Sequence, residues 1–305
     1  MICSASNAAH FKKEGGTFAG ASCDNGPMKI HTVNHDSPIR GLLRHSLGRK
    51  LFSRVAGPLV RIELPNHPYA MVLDTRDAWG VSKHILKHGD YDVEICKTLL
   101  RILPKGARCL DIGANIGFWS CFLASELDAT SVVAVEPEPS NLRLLKKNVS
   151  LNDLNNKIRI IEAAADTCPG ALDLYLSPDN AGDHQLYAAD TSRTKVQVPV
   201  VRLDDVIDSA IDFVKIDVQG YEWKALGGLE KTLTKNKGVK ILMEYWPTGI
   251  QQSGGDPKHF RAWLTSLGFH FFAPEMNLKE VELDSLDDLL GNGHHVDLIL
   301  MRPSI

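Results

Sequence analysis

Between residues 107 and 245, short apolar runs alternate with segments of helical period, and this constrains the fold more than any other feature of the chain. Ala107 to Asp111, Ser131 to Val135, Ile158 to Glu162, Phe213 to Ile216 and Val239 to Tyr245 read as strands, most of them strongly apolar. Phe118 to Glu126, Asn141 to Ser150 and Glu222 to Leu233 read as helices between them, with Leu142, Leu145 and Val149 on one face of the second. A strand that is apolar on both faces needs cover on both, so the alternation predicts an α/β fold with a doubly wound, mostly parallel sheet. Leu172 to Leu176 and Val196 to Val201 insert a further strand pair around a polar loop. After a helix at His259 to Leu267, strands at Phe269 to Phe272 and His295 to Met301 finish the sheet in hairpin fashion.

Upstream of the sheet the pattern is different. Residues 1–27 are rich in Ala, Ser, Gly and Asn without helical or strand period, and are expected to be a poorly ordered extension, with Met28 a candidate natural start. Residues 28–104 form a lead-in to the main unit, which spans 105–305. In it, Ile39 to Val55 carries Arg40, Arg44, Arg49, Lys50 and Arg54 among apolar positions, a basic amphipathic pattern expected to be a solvated helix face. Val60 to Leu64 alternates at period two, Ala70 to Leu73 makes a second strand, and a helical stretch over 78–103 is stopped by Pro104 and Gly106.

Composition excludes several classes. Thirty-four basic against 37 acidic residues leave a net charge of -3, so no global positive field gathers nucleic acid, and none is expected as a partner. No run approaches the ~18 apolar residues of a membrane span. The six cysteines (Cys3, Cys23, Cys96, Cys109, Cys121, Cys168) are scattered with no C-x-x-C pair, which points to free thiols and a cytoplasmic address rather than a zinc site.

The chemistry is concentrated in Asp111-Ile112-Gly113-Ala114-Asn115-Ile116-Gly117, between a strand and a helix. Glycines let backbone approach a ligand where a Cβ would clash, and the carboxyl end of a central strand is where open α/β sheets bind nucleotide-like ligands. Glu136 ends the next strand, 19 residues after Gly117, where a carboxylate accepts hydrogen bonds from ribose hydroxyls. A nicotinamide site prefers Gly-x-Gly-x-x-Gly, whereas Asn115 stands here in place of a glycine. The carboxylate of Asp111 would repel a pyrophosphate but suits an amino group, which favours S-adenosylmethionine. No Gly-Lys-Ser/Thr follows, so a P-loop is excluded.

Three segments together, Cys109 to Gly117, Val135-Glu136-Pro137-Glu138-Pro139 and Asp212 to Glu222, resemble the FkbM-type methyltransferases in order and spacing. The segments Gly89 to Glu94 and Asp179 to His184 also look like that family, and the resemblance covers residues 60–302. It implies a seven-stranded, Rossmann-like methyltransferase sheet with a terminal antiparallel strand, and O-methylation of a hydroxyl on a sugar, polysaccharide or secondary metabolite. It further implies that Asp111, Gly113, Asn115 and Gly117 hold the methionine part of the cofactor and Glu136 the ribose. Asp166 would border the adenine, and Glu94 would reach the cofactor from the lead-in. Gln219 stands where the family commonly has Glu, so it is given no catalytic role.

An alcohol attacks well only once a base takes its proton. Asp217 and Glu244 end neighbouring strands and point into the crevice; Glu222 opens the next helix, and His184 lies in the inserted polar loop. Asp217 is the leading candidate for the base, with His184, Glu222 and Glu244 behind it. The two strand-end carboxylates would also suit Mg²⁺ bound to the acceptor oxygen. A nicotinamide oxidoreductase and a catalytically inactive S-adenosylmethionine-binding module are the rival readings.

Overall fold

The computed structural model describes residues 30–34, 37–188, 190, 192–274, 278–282, 290 and 294–303; the extension expected over 1–27 lies outside them. The lead-in runs β1 (Ile30–Val33), α1 (Pro38–Leu43), α2 (Ser46–Ala56), β2 (Leu59–Glu63), β3 (Ala70–Asp74), α3 (Val81–His88) and α4 (Val93–Ile102). The single basic helix expected over 39–55 is two helices, because α1 ends at Leu43, capped by Arg44, and His45 takes an extended conformation before α2. The helical stretch over 78–103 likewise divides, at Gly89 (φ 85°) and Asp92 (φ 48°), both left-handed.

The main unit continues with β4 (Arg108–Ile112), α5 (Phe118–Ser125), β5 (Ser131–Val135), α6 (Pro139–Leu151), β6 (Ile158–Ile161), β7 (Ala164–Ala165), β8 (Gly170–Tyr175) and β9 (Lys195–Val201). Then come α7 (Leu203–Val206), β10 (Phe213–Ile216), α8 (Glu222–Gly227), α9 (Glu230–Lys235), β11 (Lys240–Tyr245), α10 (Pro247–Gln252), α11 (Pro257–Ser266), β12 (His270–Ala273), β13 (Lys279–Glu280) and β14 (Val296–Met301). The principal sheet has the order β13-β12-β14-β11-β10-β4-β5-β6. Strands β11, β10, β4, β5 and β6 pair in parallel, and β14 runs antiparallel between β11 and β12. The seven expected strands are present, and the two-residue β13 adds an edge. The inserted pair β8–β9 forms a separate small sheet with β7.

Alternation along each strand divides the core into two layers. Cys109, Val132, Ala134, Phe213 and Leu242 pack on one side with α5 and α6, and Leu110, Val133, Val214, Ile241 and Met243 on the other with α8 to α11. Lead-in residues Val60, Met71, Leu73 and Leu99 join the first layer. Asn148 on α6 and Asn152 at its C-cap fasten β3 to the helix by pairing with the strand's edge as another strand would. Asn148 donates to Val72 O at 3.2 Å and accepts from Val72 N at 2.6 Å, while Asn152 does the same for Ala70 at 2.8 and 2.9 Å.

His67, on the β2–β3 loop, makes a second fastening. Its side chain is 4% exposed; Nδ1 meets Glu126 at the end of α5, and Nε2 lies 2.6 Å from Asp90 Oδ1. Burial alone would lower the His67 pKa, but the two carboxylates outweigh it and the net shift is upward. A raised folded pKa stabilises most fully below the unfolded value of about 6.5 and loses that contribution as pH rises through the folded value. His67→Gln should therefore cost about 3 kcal/mol, the scale of breaking a buried ion pair, and cost more at pH 6 than at pH 9. Urea denaturation at both pH values measures this; an equal loss at the two would contradict a charged His67.

Three of the cysteines expected as free thiols, Cys96, Cys109 and Cys121, are free and buried. Cys168 departs from that expectation and is disulfide-bonded.

Candidate active site

The order of the sheet reverses at β4, with β5 on one side and β10 on the other, and a cavity of about 310 Å³ opens beyond the carboxyl ends of these strands. The glycine loop forms its floor. Gly113 (φ 76°) passes so near β10 that a Cβ there would lie 1.9 Å from Asp217 O. Gly117 (φ 89°) starts α5 against Leu145, whose Cδ1 would be 2.6 Å from a Cβ.

The loop's amides are all engaged within the protein. Gly113 N and Ala114 N donate to Val135 O, and Gly117 N donates to Ala114 O. Asn115 N donates to Glu136 Oε2 at 2.8 Å, and Ile116 N to Asn115 Oδ1 at 2.7 Å. Residues 113–117 therefore offer a pyrophosphate no free N–H group of the kind that holds one. Glu136 also accepts from Glu138 N at 2.9 Å; burial pushes its carboxyl up to about 7, despite the two backbone N–H groups that pull it down.

The inserted loop and the lead-in close the cavity from above. Asn115 Nδ2 and Asn141 Nδ2 both donate to Ala181 O, at 3.1 and 3.0 Å. Ala78 N donates to Asp179 O at 3.1 Å, and Asp77 accepts from Gly80 N and Ser82 N at 2.8 and 3.0 Å. Trp79, His84 and Tyr91 of the lead-in therefore line the cavity with Phe118 and Trp119 of α5. Nothing in the sequence of the lead-in marked these three.

Of the residues singled out from sequence, Gly113, Asn115, Glu136, His184, Asp217 and Glu244 line the cavity. Asp111 does not. It is fully buried beneath the loop, where Ser120 Oγ donates to its Oδ2 at 2.5 Å and Lys215 Nζ lies 3.8 Å from its Oδ1. Strand alternation explains this, since Leu110 and Ile112 share one face of β4 and Asp111 must take the other. Asp166 is occupied elsewhere: Tyr221 OH donates to its Oδ2 at 2.7 Å, and its Oδ1 accepts from Thr167. Glu222 is fully buried and turned back on its own loop, accepting from Val218 N and Gly220 N at 2.9 and 3.2 Å. Glu94 faces outward at the first turn of α4, its side chain 73% exposed and 2.8 Å from Lys97 Nζ.

His184 is placed at the cavity but oriented against the role of base. Ser177 N donates to its Nδ1 at 3.0 Å, so the ring hydrogen sits on Nε2, and burial lowers its pKa. Nε2 is then a donor.

Two residues without an expected role complete the centre. Lys215, a cation within the otherwise apolar β10, donates to Gly113 O at 3.0 Å and lies 3.9 Å from Asp217 Oδ2. Burial would lower its pKa, yet Asp217, Asp111 and Glu244 raise it on balance, so it is a fixed positive charge. Gln219, in a left-handed conformation (φ 55°), donates from one Nε2 to Asp217 Oδ1 at 2.7 Å and to Glu244 Oε2 at 2.9 Å. Burial, then Asp217 and Glu222, push the Glu244 carboxyl well up, which favours its protonated form. The donor set does not support the expected Mg²⁺: the Gln219 amide takes one oxygen of each strand-end carboxylate, and Lys215 stands beside Asp217 Oδ2. Among the described residues no group of three or more His, Cys, Asp or Glu side chains is arranged for a metal.

With this geometry in hand, comparison with known proteins places the chain among methyltransferases. The family model of the methyltransferase FkbM domain matches residues 111–271. The chain is similar to methyltransferase sdnD of Sordaria araneosa, at 25% identity over 49% of this chain and 70% of that protein. It is similar to methyltransferase 1 of Beauveria bassiana at 25% identity, over 42% of this chain and 60% of that one. A ribosomal protein L11 methyltransferase of Thermotoga neapolitana is 27% identical over 42% of this chain and 48% of its own length. The chain thus spans less than two thirds of the latter two. Among solved structures, methyltransferase FkbM from Methylobacillus flagellatus KT aligns at 18% identity and a TM-score of 0.42, over 65% of this chain and 44% of that one.

Proposed function

This chain belongs to the FkbM methyltransferase family, and from that premise we propose that it transfers a methyl group from S-adenosylmethionine to a hydroxyl of a sugar, polysaccharide or secondary metabolite. The observation that carries the choice of cofactor is the pairing of a glycine loop whose amides are all engaged with Glu136 on the cavity wall just after β5. With no free loop amide to hold a pyrophosphate and an acceptor placed for ribose hydroxyls, the cavity favours a nucleoside cofactor without phosphates.

In this reading Glu136 accepts the ribose hydroxyls and the small side chains of Ala163, Ala164 and Ala165 border the adenine. When bound, the cofactor supplies an electrophilic methyl on a sulfonium. Asp217 takes the proton of the acceptor hydroxyl, Gln219 fixes the rotamer of Asp217 through its Oδ1, and Lys215 balances the charge on its Oδ2. His184 Nε2–H serves as a donor that orients the acceptor. The lead-in, residues 28–104, supplies the aromatic wall that keeps water from the transfer. Asp111 acts from below, holding Ser120 and Lys215 under the loop.

The test is transfer of label from methyl-tritiated S-adenosylmethionine to a panel of hydroxylated acceptors, mono- and polysaccharides and polyketide alcohols among them. Label is expected in an alkali-stable ether. Label confined to amines or to protein side chains would contradict the O-methyl reading.

A further inference from the structure

Helices α1 and α2 present a surface that the methyl-transfer site does not use. From Ser37 to Gly57 the sequence has five Lys or Arg residues and no Asp or Glu, in a chain of net charge -3. The structure sorts these cations by depth. Arg40 and Arg49 are buried, donating to Glu63 O at 3.4 Å and to Leu43 O at 3.3 Å, while Arg44, Lys50 and Arg54 are exposed. Phe52 anchors α2 inward. Beside that buried face Leu47, Leu51 and Val55 are 78%, 55% and 81% exposed.

Residues four apart advance by about 40° around a helix, so these three form one stripe, and Lys50 and Arg54 run along its edge. Ile39 and Leu42 of α1 are also exposed. Single exposed aliphatic residues are ordinary. An aligned aliphatic stripe edged by cations, in a segment without acids, is the pattern of a helix that lies in a membrane interface.

We propose that α2 docks this chain on an anionic lipid bilayer, with Leu47, Leu51 and Val55 entering the boundary between headgroups and acyl chains and Arg44, Lys50 and Arg54 meeting anionic headgroups. Charge complementarity sets both the partner and the orientation, since the remainder of the chain is net negative and is repelled by the same surface. A second copy is a poor occupant, because a twofold contact through α2 would set these cations against their own images. A phosphate backbone would leave the aliphatic stripe in water.

The experiment is flotation of the full chain with vesicles of phosphatidylcholine plus phosphatidylserine and with phosphatidylcholine alone, for the wild type and two variants. The wild type should float with the anionic vesicles only. Lys50→Gln/Arg54→Gln should weaken partitioning by about thirtyfold, the worth of two cations at such a surface. Leu47→Ser/Leu51→Ser/Val55→Ser should lose it by more than about tenfold, as expected when binding scales with buried apolar area. Both variants replace exposed side chains and should keep the wild-type melting temperature. The proposal is overturned by wild type that stays unbound with the anionic vesicles, or by binding that neither variant alters. A concentration-dependent dimer that the triple serine variant abolishes, without any vesicle affinity in the wild type, would assign the face to a second copy instead.

Discussion

Asp217→Asn is expected to lower kcat by at least ~10²-fold, within the range typical of losing a general base, while cofactor affinity stays near that of the wild type. A group that acts on the acceptor oxygen contributes in the transition state and not in cofactor binding, so the loss should appear in kcat. The substitution keeps the size of the side chain. An Asn carbonyl at the position of Oδ1 still accepts from Gln219 Nε2, now at 2.7 Å, and its amide then faces Lys215, which is 3.9 Å from Oδ2. Single-turnover kinetics beside a binding titration separates the two effects. Near-normal turnover in a folded Asp217→Asn protein would contradict the assignment of Asp217 as the base.

The second large effect is on folding. Gly113→Ala places a Cβ 1.9 Å from Asp217 O, a backbone atom that can move only if β10 moves, and does so at a φ of 76°. Left-handed strain at a non-glycine residue costs roughly 1–3 kcal/mol, and forcing extra volume into packed structure costs a similar roughly 1–3 kcal/mol. The variant should therefore melt on the order of 10 °C below the wild type, at the ~2–4 °C per kcal/mol of a chain this size. It should also bind cofactor poorly, because the same shift separates the glycine loop from the end of β10. An unchanged melting temperature would mean that the loop and β10 are not in this contact.

The sheet was legible because its signals are local. Apolar runs of strand length, helices between them and glycines at a strand-to-helix turn can each be read within a few residues, and the seven strands stand where they were expected. Glu136, Asp217 and Glu244 line the cavity with the glycine loop because each lies at a strand's carboxyl end, a position that can be read in the sequence. What failed was direction and distant pairing. Asp111 was placed at the right loop, but strand parity turns its carboxylate under α5 rather than into the cavity. The partner of Asp166, Tyr221, is 55 residues away, and no spacing rule foretells that hydrogen bond. Glu222 caps the turn before it, an ordinary use of an acid at a helix start that competes with any catalytic one.

The opposite error concerns Lys215 and Gln219. A lysine flanked by Phe213, Val214 and Ile216 was a visible anomaly, a charge in a buried strand, and such a residue demands partners. Gln219 was passed over because it departs from the family pattern. The structure gives that departure a consequence: an amide can donate to two carboxylates at once, which a glutamate cannot do when ionised. The lead-in's aromatic residues left no trace in the sequence, because only the meeting of loop 77–80 with loop 179–182 brings them over the cavity.

Isothermal titration of the wild type and Glu136→Gln, each with S-adenosylmethionine and with NAD, tests whether the cavity above the glycine loop takes S-adenosylmethionine through Glu136. The wild type should bind S-adenosylmethionine and not NAD, and Glu136→Gln should weaken the former by about tenfold, within the range for a hydrogen bond to a polar or charged group. Binding of NAD in place of S-adenosylmethionine, or equal affinity for S-adenosylmethionine in a folded Glu136→Gln protein, would contradict that binding mode.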